Sequence, residues 1–287
     1  MKTLNLKRIN LDYNQFIKRS AQEADCDIFV KEPCILKDAD SGEIKVIYDE
    51  LKLNSKDVVG ALKRIKYNTG KRTRGLVSNS RVFGFRPRNP IRANYCSSTS
   101  LAVEFPTEHS IVCELAIKLE KYYQKYHPEG YAFHSELTKD KVREEWRLGK
   151  ASIFTSGIIN KNNPLKYHFD SGNFTSVYSV MIVFKGNGVG GGHLTIPEYG
   201  VKIELKDNSI LMFDGQSLMH GVTPIKYQNA DSYRFSVVYY SLKQMWKCLP
   251  LNEELAFVRN SKTAREKMRH NMPQEHYDML KGRKGKQ

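Results

Sequence analysis

The sequence predicts an α+β chain in which helical and mixed segments flank a sandwich or barrel of short strands. Three observations predict it. In Ser110–Tyr126, apolar Ile111, Leu115, Leu119 and Tyr122 fall at i, i+4, i+8 and i+11, the stripe of an amphipathic helix. From Ser152 to Ser241 the chain becomes short apolar or alternating runs, punctuated by Gly, Asn, Asp and Pro at intervals of about ten residues. Beyond Leu249-Pro250 the pattern turns helical again.

Taken in order, Leu11–Glu23 reads as a helix and Ile44–Tyr48 as a strand. Lys56–Tyr67 has helical spacing and runs into Asn68-Thr69-Gly70, a turn signal. Lys71–Asn94 is rich in Arg, Gly, Pro and Asn without a clear period and reads as a long irregular segment, which in a compact domain usually has a function. After the helix ending at Tyr126, Pro128 and Gly130 read as its terminator, and Leu137–Leu148 as a further helix. The strands expected in the middle region are Ile153–Ile159, Val177–Phe184, His193–Ile196, Val201–Leu205, Ile210–Phe213 and Arg234–Tyr240. The last residues, Lys281 to Lys286, form a basic tail expected to be disordered. Three regions follow: residues 1–150, mixed and packed on the core; residues 151–250, the core; and residues 251–287, a basic helical extension.

Composition narrows the class. The 287 residues are 40% hydrophobic, enough for a large core. Five scattered cysteines, Cys26, Cys34, Cys96, Cys113 and Cys248, contain no C-x-x-C pair, which argues against a disulfide framework and a cysteine-rich zinc site. No signal-like or membrane-spanning apolar run is present, so an intracellular monomer, in a nucleus or a bacterial or phage-infected cytoplasm, is expected. The formal charge is +15, and Val58–Arg92 holds ten Lys or Arg residues and no Asp or Glu. A polyanionic partner is the expectation, with Lys71, Arg72, Arg74, Arg81 and Arg86 as phosphate contacts.

Two constellations carry chemistry. In His168-Phe169-Asp170, residues i and i+2 of an extended chain point the same way and can aim two ligands at one point. His220, followed by Gly221-Val222-Thr223-Pro224, is the natural third ligand. Two histidines and a carboxylate on one face of a metal leave three positions open, the arrangement of non-haem iron(II) oxygenases, and those positions suit a bidentate 2-oxo acid and dioxygen. Arg234-Phe235-Ser236 places a guanidinium fork and a hydroxyl on one face of a strand, an anchor for the distal carboxylate of 2-oxoglutarate.

These motifs, in this order along a β region, resemble the TET/JBP group of 2-oxoglutarate dioxygenases, which oxidise the 5-methyl group of pyrimidine bases in DNA. Gly190-Gly-Gly-His-Leu-Thr-Ile-Pro-Glu-Tyr-Gly200 resembles the JBP branch, and Lys206-Asp-Asn-Ser-Ile-Leu-Met-Phe-Asp-Gly215 resembles the strand leading to the distal histidine. The resemblance covers about Ser152–Leu242. It implies a double-stranded β-helix (jelly-roll, cupin-like) core, iron(II) held by His168, Asp170 and His220, and 2-oxoglutarate held by Arg234 and Ser236, with ascorbate as a reductant. It further implies base contacts from Asn173, from Tyr240 and, through the short Ser78-Asn-Ser-Arg-Val-Phe-Gly84 match, from Asn79.

There are departures from the family pattern. Leu242 stands where the animal-type enzymes carry a base-contacting histidine, and their cysteine-rich zinc module is absent. The expected reaction is hydroxylation of a base flipped out of methylated double-stranded DNA. The Asn and Tyr favour 5-methylcytosine, converted to 5-hydroxymethylcytosine or further, while the GGHL stretch favours thymine. A carboxamide carries a donor and an acceptor and so suits either base. A dioxygenase acting on RNA, protein or small molecules, and a non-catalytic nucleic-acid-binding protein, are the rival readings.

Overall fold

The computed structural model describes residues 1–71, 77–88 and 95–270. In chain order the elements are β1 (Lys2–Leu6), β2 (Ile28–Val30), β3 (Cys34–Asp38), β4 (Ile44–Glu50), α1 (Lys56–Arg64), β5 (Asn68–Lys71), β6 (Val77–Arg86), β7 (Ser97–Ser98), α2 (Ser100–Glu104), α3 (Pro106–Tyr126) and α4 (Pro128–Lys141). They continue with β8 (Ser156–Lys161), β9 (Ser179–Lys185), β10 (Val189–Gly191), β11 (Leu194–Ile196), β12 (Val201–Ile203), β13 (Ser209–Phe213), β14 (Gly221–Val222), β15 (Ile225–Tyr227), β16 (Arg234–Tyr240) and α5 (Leu251–His270). No described helix is long and apolar enough to cross a membrane.

Two sheets face each other. The larger runs β1-β3-β4-β13-β9-β16-β8-β6-β5, with β7 paired to β6; the smaller runs β14-β11-β12-β2. Alternation along each strand divides the side chains between two cores. Ile182 and Phe184 of β9 and Phe235, Val237 and Tyr239 of β16 pack with Val112, Leu115, Ala116 and Leu119 of α3. Met181 and Val183 of β9 and Leu211 and Phe213 of β13 turn the other way and meet Leu194, Ile196, Val201 and Val222 of the smaller sheet. Tyr239 locks helix to sheet, its hydroxyl donating to the Val112 carbonyl at 2.8 Å. Helices on one face and a second sheet on the other leave the space between the sheets for the site.

Several expectations are corrected. Leu11–Glu23 is not a helix: it holds two single 3-10 turns, Tyr13–Gln15 and Glu23–Asp25, and Lys18 between them has a left-handed φ of 65° that stops helical propagation. Pro128 and Gly130 do not end a helix. Pro128 opens α4 at its first turn, where a missing N–H costs nothing, and Leu137–Leu148 is the end of α4 followed by a 3-10 turn. The segment Lys71–Asn94 contains a ten-residue strand, β6. Its alternation is hidden in the sequence because Arg81 and Phe83 occupy the same face. Cys96 and Cys248 form a disulfide, leaving Cys26, Cys34 and Cys113 as buried thiols.

The expected boundary at residue 150 also changes. Residues 1–150 are not a layer packed on a separate core, because β1, β3, β4, β5 and β6 are strands of the same sheet as β8, β9, β13 and β16. β2 likewise extends the smaller sheet, pairing with β12 through Ile28↔Val201 to Val30↔Ile203.

Candidate active site

His168 and His220 pair as a short antiparallel bridge at one end of the inter-sheet space. His168 N–H donates to the His220 carbonyl at 3.0 Å, and His220 N–H returns the bond to His168 at 3.1 Å. Each imidazole is then turned by its own neighbour: Nδ1 of His168 lies 2.8 Å from the Lys166 carbonyl, and Nδ1 of His220 lies 3.0 Å from the Leu218 carbonyl. A carbonyl only accepts, so both Nδ1 atoms carry the proton and both Nε2 atoms keep a free lone pair. Burial, reinforced by the nearby His168, pushes His220 down to about 4, which holds its imidazole neutral as a metal ligand must be.

Asp170 completes the set. Its Oδ1 lies 3.7 Å from His168 Nε2 and 3.9 Å from His220 Nε2, and one ligand atom from each of the three residues falls within 4.8 Å of the others. Asp170 N–H donates to the Gly215 carbonyl at 2.8 Å. Gly215 permits this approach, since a β-carbon there would sit 2.3 Å from Asp170 Oδ2. Two imidazoles and one carboxylate converging from one side are the donor set of a facial iron(II) site.

β16 supplies the neighbouring wall. Arg234, Ser236, Val238 and Tyr240 alternate onto the inter-sheet face. Arg234 is 1% exposed, and burial pulls its guanidinium down to about 10, so it stays charged at neutral pH. One Nη donates to the Gly192 carbonyl at 3.2 Å, while the buried Nε has no hydrogen-bond partner. A buried cation with an unused donor fits the distal carboxylate of 2-oxoglutarate. Gly192, with φ of 68°, lies against this side chain, and a β-carbon there would come within 3.0 Å of Nε.

The triad and Ser236 line one cavity of about 420 Å³. Asn173 and Tyr240 line it too, so both expected base contacts share a cavity with the His168–Asp170–His220 triad. Asn173 is not merely a turn residue. It bridges to Leu242, its amide donates to Ser179 Oγ at 3.3 Å, and the next N–H, of Phe174, donates to Ser241. The sequence reading missed Ile158, Asn160, Ser179 and Met181, which also line the cavity. Asn160 was within reach, since it follows the expected strand Ile153–Ile159 directly and pairs with Ser236.

Other assignments do not hold. Asn79 shares its face of β6 with Arg81 and Phe83, and Phe83 packs among the helices, whereas Ser80 pairs with cavity-lining Asn160. Strand parity therefore turns Asn79 away from the cavity. Arg81 is 6% exposed and its guanidinium lies 2.6 Å from Glu104, so it is a structural cation and not a surface phosphate contact. Arg64 and Arg88 are likewise paired with Glu108 and Glu254 at 2.7 and 2.6 Å. Arg86 is exposed, with a 3.4 Å contact to Ser97 Oγ. Lys71 closes β5, and Arg72 and Arg74 lie outside the described residues.

Residues 87–243, more than half of the chain, match the family Tet_JBP, described as the oxygenase domain of the 2OGFeDO superfamily. The chain belongs to this TET/JBP oxygenase family. Iron(II) and 2-oxoglutarate are accordingly its cofactors, and the triad and Arg234 described above fit them. Thymine dioxygenase JBP1 of Trypanosoma brucei brucei is 27% identical over 170 residues, 58% of this chain and 19% of that protein. Bifunctional helicase and thymine dioxygenase JBP2 of Leishmania tarentolae is 30% identical over 122 residues, 42% of this chain and 11% of that protein. The match thus spans a fifth or less of these relatives. Among solved structures, NgTET1 in complex with 5mC DNA aligns with a TM-score of 0.59 at 14% identity, covering 81% of this chain and 86% of that one. This likeness shows the fold, a double-stranded β-helix core.

Proposed function

We propose that this TET/JBP oxygenase hydroxylates the 5-methyl group of a pyrimidine base in DNA, the base being flipped out of the duplex, with thymine the first candidate. The observation that carries the reading is that Asn173 and Tyr240 line the same cavity as His168, Asp170 and His220. A methyl group inside a duplex cannot reach a metal held between two sheets, and a flipped base can. Sequence relatives with thymine dioxygenase activity support thymine, and so does Leu242, which brings an apolar side chain to the cavity at the position of the animal-type histidine. This moves the preference away from 5-methylcytosine, which remains the second reading because Asn173 offers both a donor and an acceptor.

When bound, iron(II) with 2-oxoglutarate and dioxygen supplies the oxidation of an unactivated C–H bond, with succinate as co-product. The protein's part is position. His168, Asp170 and His220 hold the metal from one side, and Arg234 with Ser236 fixes the distal carboxylate of the co-substrate. Asn173 meets the polar edge of the base and Tyr240 its face. Met181, Leu194, Phe213, Val222 and Val238 line the cavity with apolar surface that excludes water.

The test is incubation with iron(II), 2-oxoglutarate and ascorbate on duplex DNA containing both thymine and 5-methylcytosine, followed by nucleoside mass spectrometry. A gain of one oxygen on thymidine, absent in His168→Ala, is the expected result. Oxygen on 5-methylcytidine alone would select the second reading. Succinate formation with no oxidised base would refute DNA as substrate.

A further inference from the structure

Residues 214–218, a turn between β13 and β14, touch the candidate iron triad twice. The Gly215 carbonyl accepts from Asp170 N–H at 2.8 Å, and the Leu218 carbonyl accepts from His220 Nδ1 at 3.0 Å. Asp214 closes the turn on itself. Its carboxylate accepts from Gln216 N–H at 3.0 Å, an Asx turn, and its carbonyl accepts from Ser217 N–H and Leu218 N–H at 3.2 and 3.1 Å. The backbone of Gln216 is therefore fixed in the same piece of chain that supports Asp170 and His220.

The Gln216 side chain ties this turn to a different part of the cavity wall. Its Nε2 donates to the Phe174 carbonyl at 2.6 Å. A carbonyl only accepts, so the amide is oriented with its NH2 group toward Phe174. Phe174 directly follows Asn173, and residues 172–174 are otherwise built into the segment after β16. Phe174 N–H donates to the Ser241 carbonyl at 2.8 Å, Lys243 N–H donates to the Gly172 carbonyl at 2.9 Å, and Asn173 bridges to Leu242. The Phe174 ring is buried against His134 and Trp246. Between Asp170 and Asn173 the chain has Ser171 and Gly172, and a glycine at a φ of 89° gives that link little stiffness. Gln216 itself lies outside the cavity lining, which includes Asp170, Asn173 and His220.

From this arrangement we infer that Gln216 is a positioning residue: its amide is the brace that sets the offset between the triad and the Asn173 wall, and with it the register over the metal of a base held by Asn173. The inference rests on the reading under Proposed function. A displacement of about 1 Å between reacting groups can cost about 100-fold in rate. Without the brace, the base and the metal lose their register, and 2-oxoglutarate is turned over without oxidation of the base.

The test compares wild type, Gln216→Glu and Gln216→Met on the methylated duplex, counting oxidised base and succinate in the same reaction, beside iron(II) affinity and the KM for 2-oxoglutarate. Gln216→Glu keeps the shape and, ionised, replaces the donor with an acceptor; Gln216→Met keeps the length and removes the donor. Both leave the main chain of the turn intact. The expected result in both is a yield of oxidised base per succinate, and a kcat for base oxidation, lowered at least about fivefold, the worth of one hydrogen bond, with the KM for DNA, the KM for 2-oxoglutarate and iron affinity within about twofold. Wild-type coupling in either variant would overturn the brace. So would a fall in iron affinity that matches the fall in base oxidation, because the turn would then be acting through Asp170 and His220. Wild-type protein that forms succinate but oxidises no DNA base would instead overturn the functional reading, and this brace with it.

Discussion

His168 and His220 donate a backbone hydrogen bond to each other, at 3.0 and 3.1 Å, so the first and last members of the candidate iron triad are also direct partners in the fold. The metal site is not assembled from independent loops. A two-residue ladder fixes the spacing of the histidines, and each ring is oriented by the carbonyl two residues before it. Backbone bonding of this kind sets the ligands in place before any metal arrives.

Asp170 depends on Gly215 in a way that a single substitution exposes. In Gly215→Ala the new methyl group would lie 2.3 Å from Asp170 Oδ2 and 3.2 Å from His220 Cε1. Iron affinity is expected to fall about 10- to 100-fold, the range for disturbed support of a metal ligand, with little change in melting temperature. Titration with iron(II) under anaerobic conditions measures it. Wild-type affinity would mean that Asp170 is free to move aside.

Arg234→Lys keeps the charge and loses the fork. The KM for 2-oxoglutarate is expected to rise at least about tenfold, equivalent to about 1.4 kcal/mol, while iron affinity holds. Steady-state kinetics with varied 2-oxoglutarate decides it. A lysine variant with normal KM would show that charge alone binds the distal carboxylate.

Stability is expected to fall with acid, and His134 is the group to follow. It is fully buried, its Nε2 lies 2.8 Å from Ser241 Oγ, and burial pushes it down to about 3. A histidine depressed in the folded state is neutral in both states above the unfolded value of about 6.5. Below that pH the unfolded chain takes up a proton that the folded one refuses. Stability is thus complete above about 6.5 and lost progressively toward 3, by about 1.4 kcal/mol per pH unit for one such group. Burial lowers His109 and His127 in the same direction. Melting curves of wild type and His134→Gln between pH 7 and 4 should converge on acidification, and parallel curves would exclude His134 as the source.

The Cys96–Cys248 disulfide joins the residue before β7 to the turn before α5. Removing it by reduction or by Cys248→Ser is expected to cost about 2–4 kcal/mol. Cys26, Cys34 and Cys113 are pushed up by burial, to about 12, 11 and 12, so they stay protonated and unreactive at neutral pH. Non-reducing peptide mapping should recover one cross-linked pair. Alkylation of all five cysteines in denaturant without a reductant would refute the bond.

The catalytic strands were legible because their periodicity and their chemistry coincide. Arg234–Tyr240 alternates cleanly, and the face carrying Arg234 and Ser236 is also the face that lines the cavity. His168 and Asp170 were legible as a pair, since two residues of extended chain share a direction. Asn79 was misplaced because a motif match carries no parity, and a shift of one residue turns a side chain through the sheet. Arg81 was misread because net charge does not show that Glu104, distant in sequence, already neutralises it. The disulfide was invisible for the same reason: Cys96 and Cys248 are 152 residues apart and only the fold brings them together.

β13 is paired on its outer side with β4, and β8 with β6. Both partners precede residue 87, where the family match begins. A polypeptide cut at that boundary would keep the His168–Asp170–His220 triad and Arg234, yet leave β13, β8 and, with β2 gone, β12 each with a bare edge, open invitations to intermolecular pairing. The smallest piece of this protein able to stay soluble is set by where the sheet closes, and the limits of the family match do not mark it.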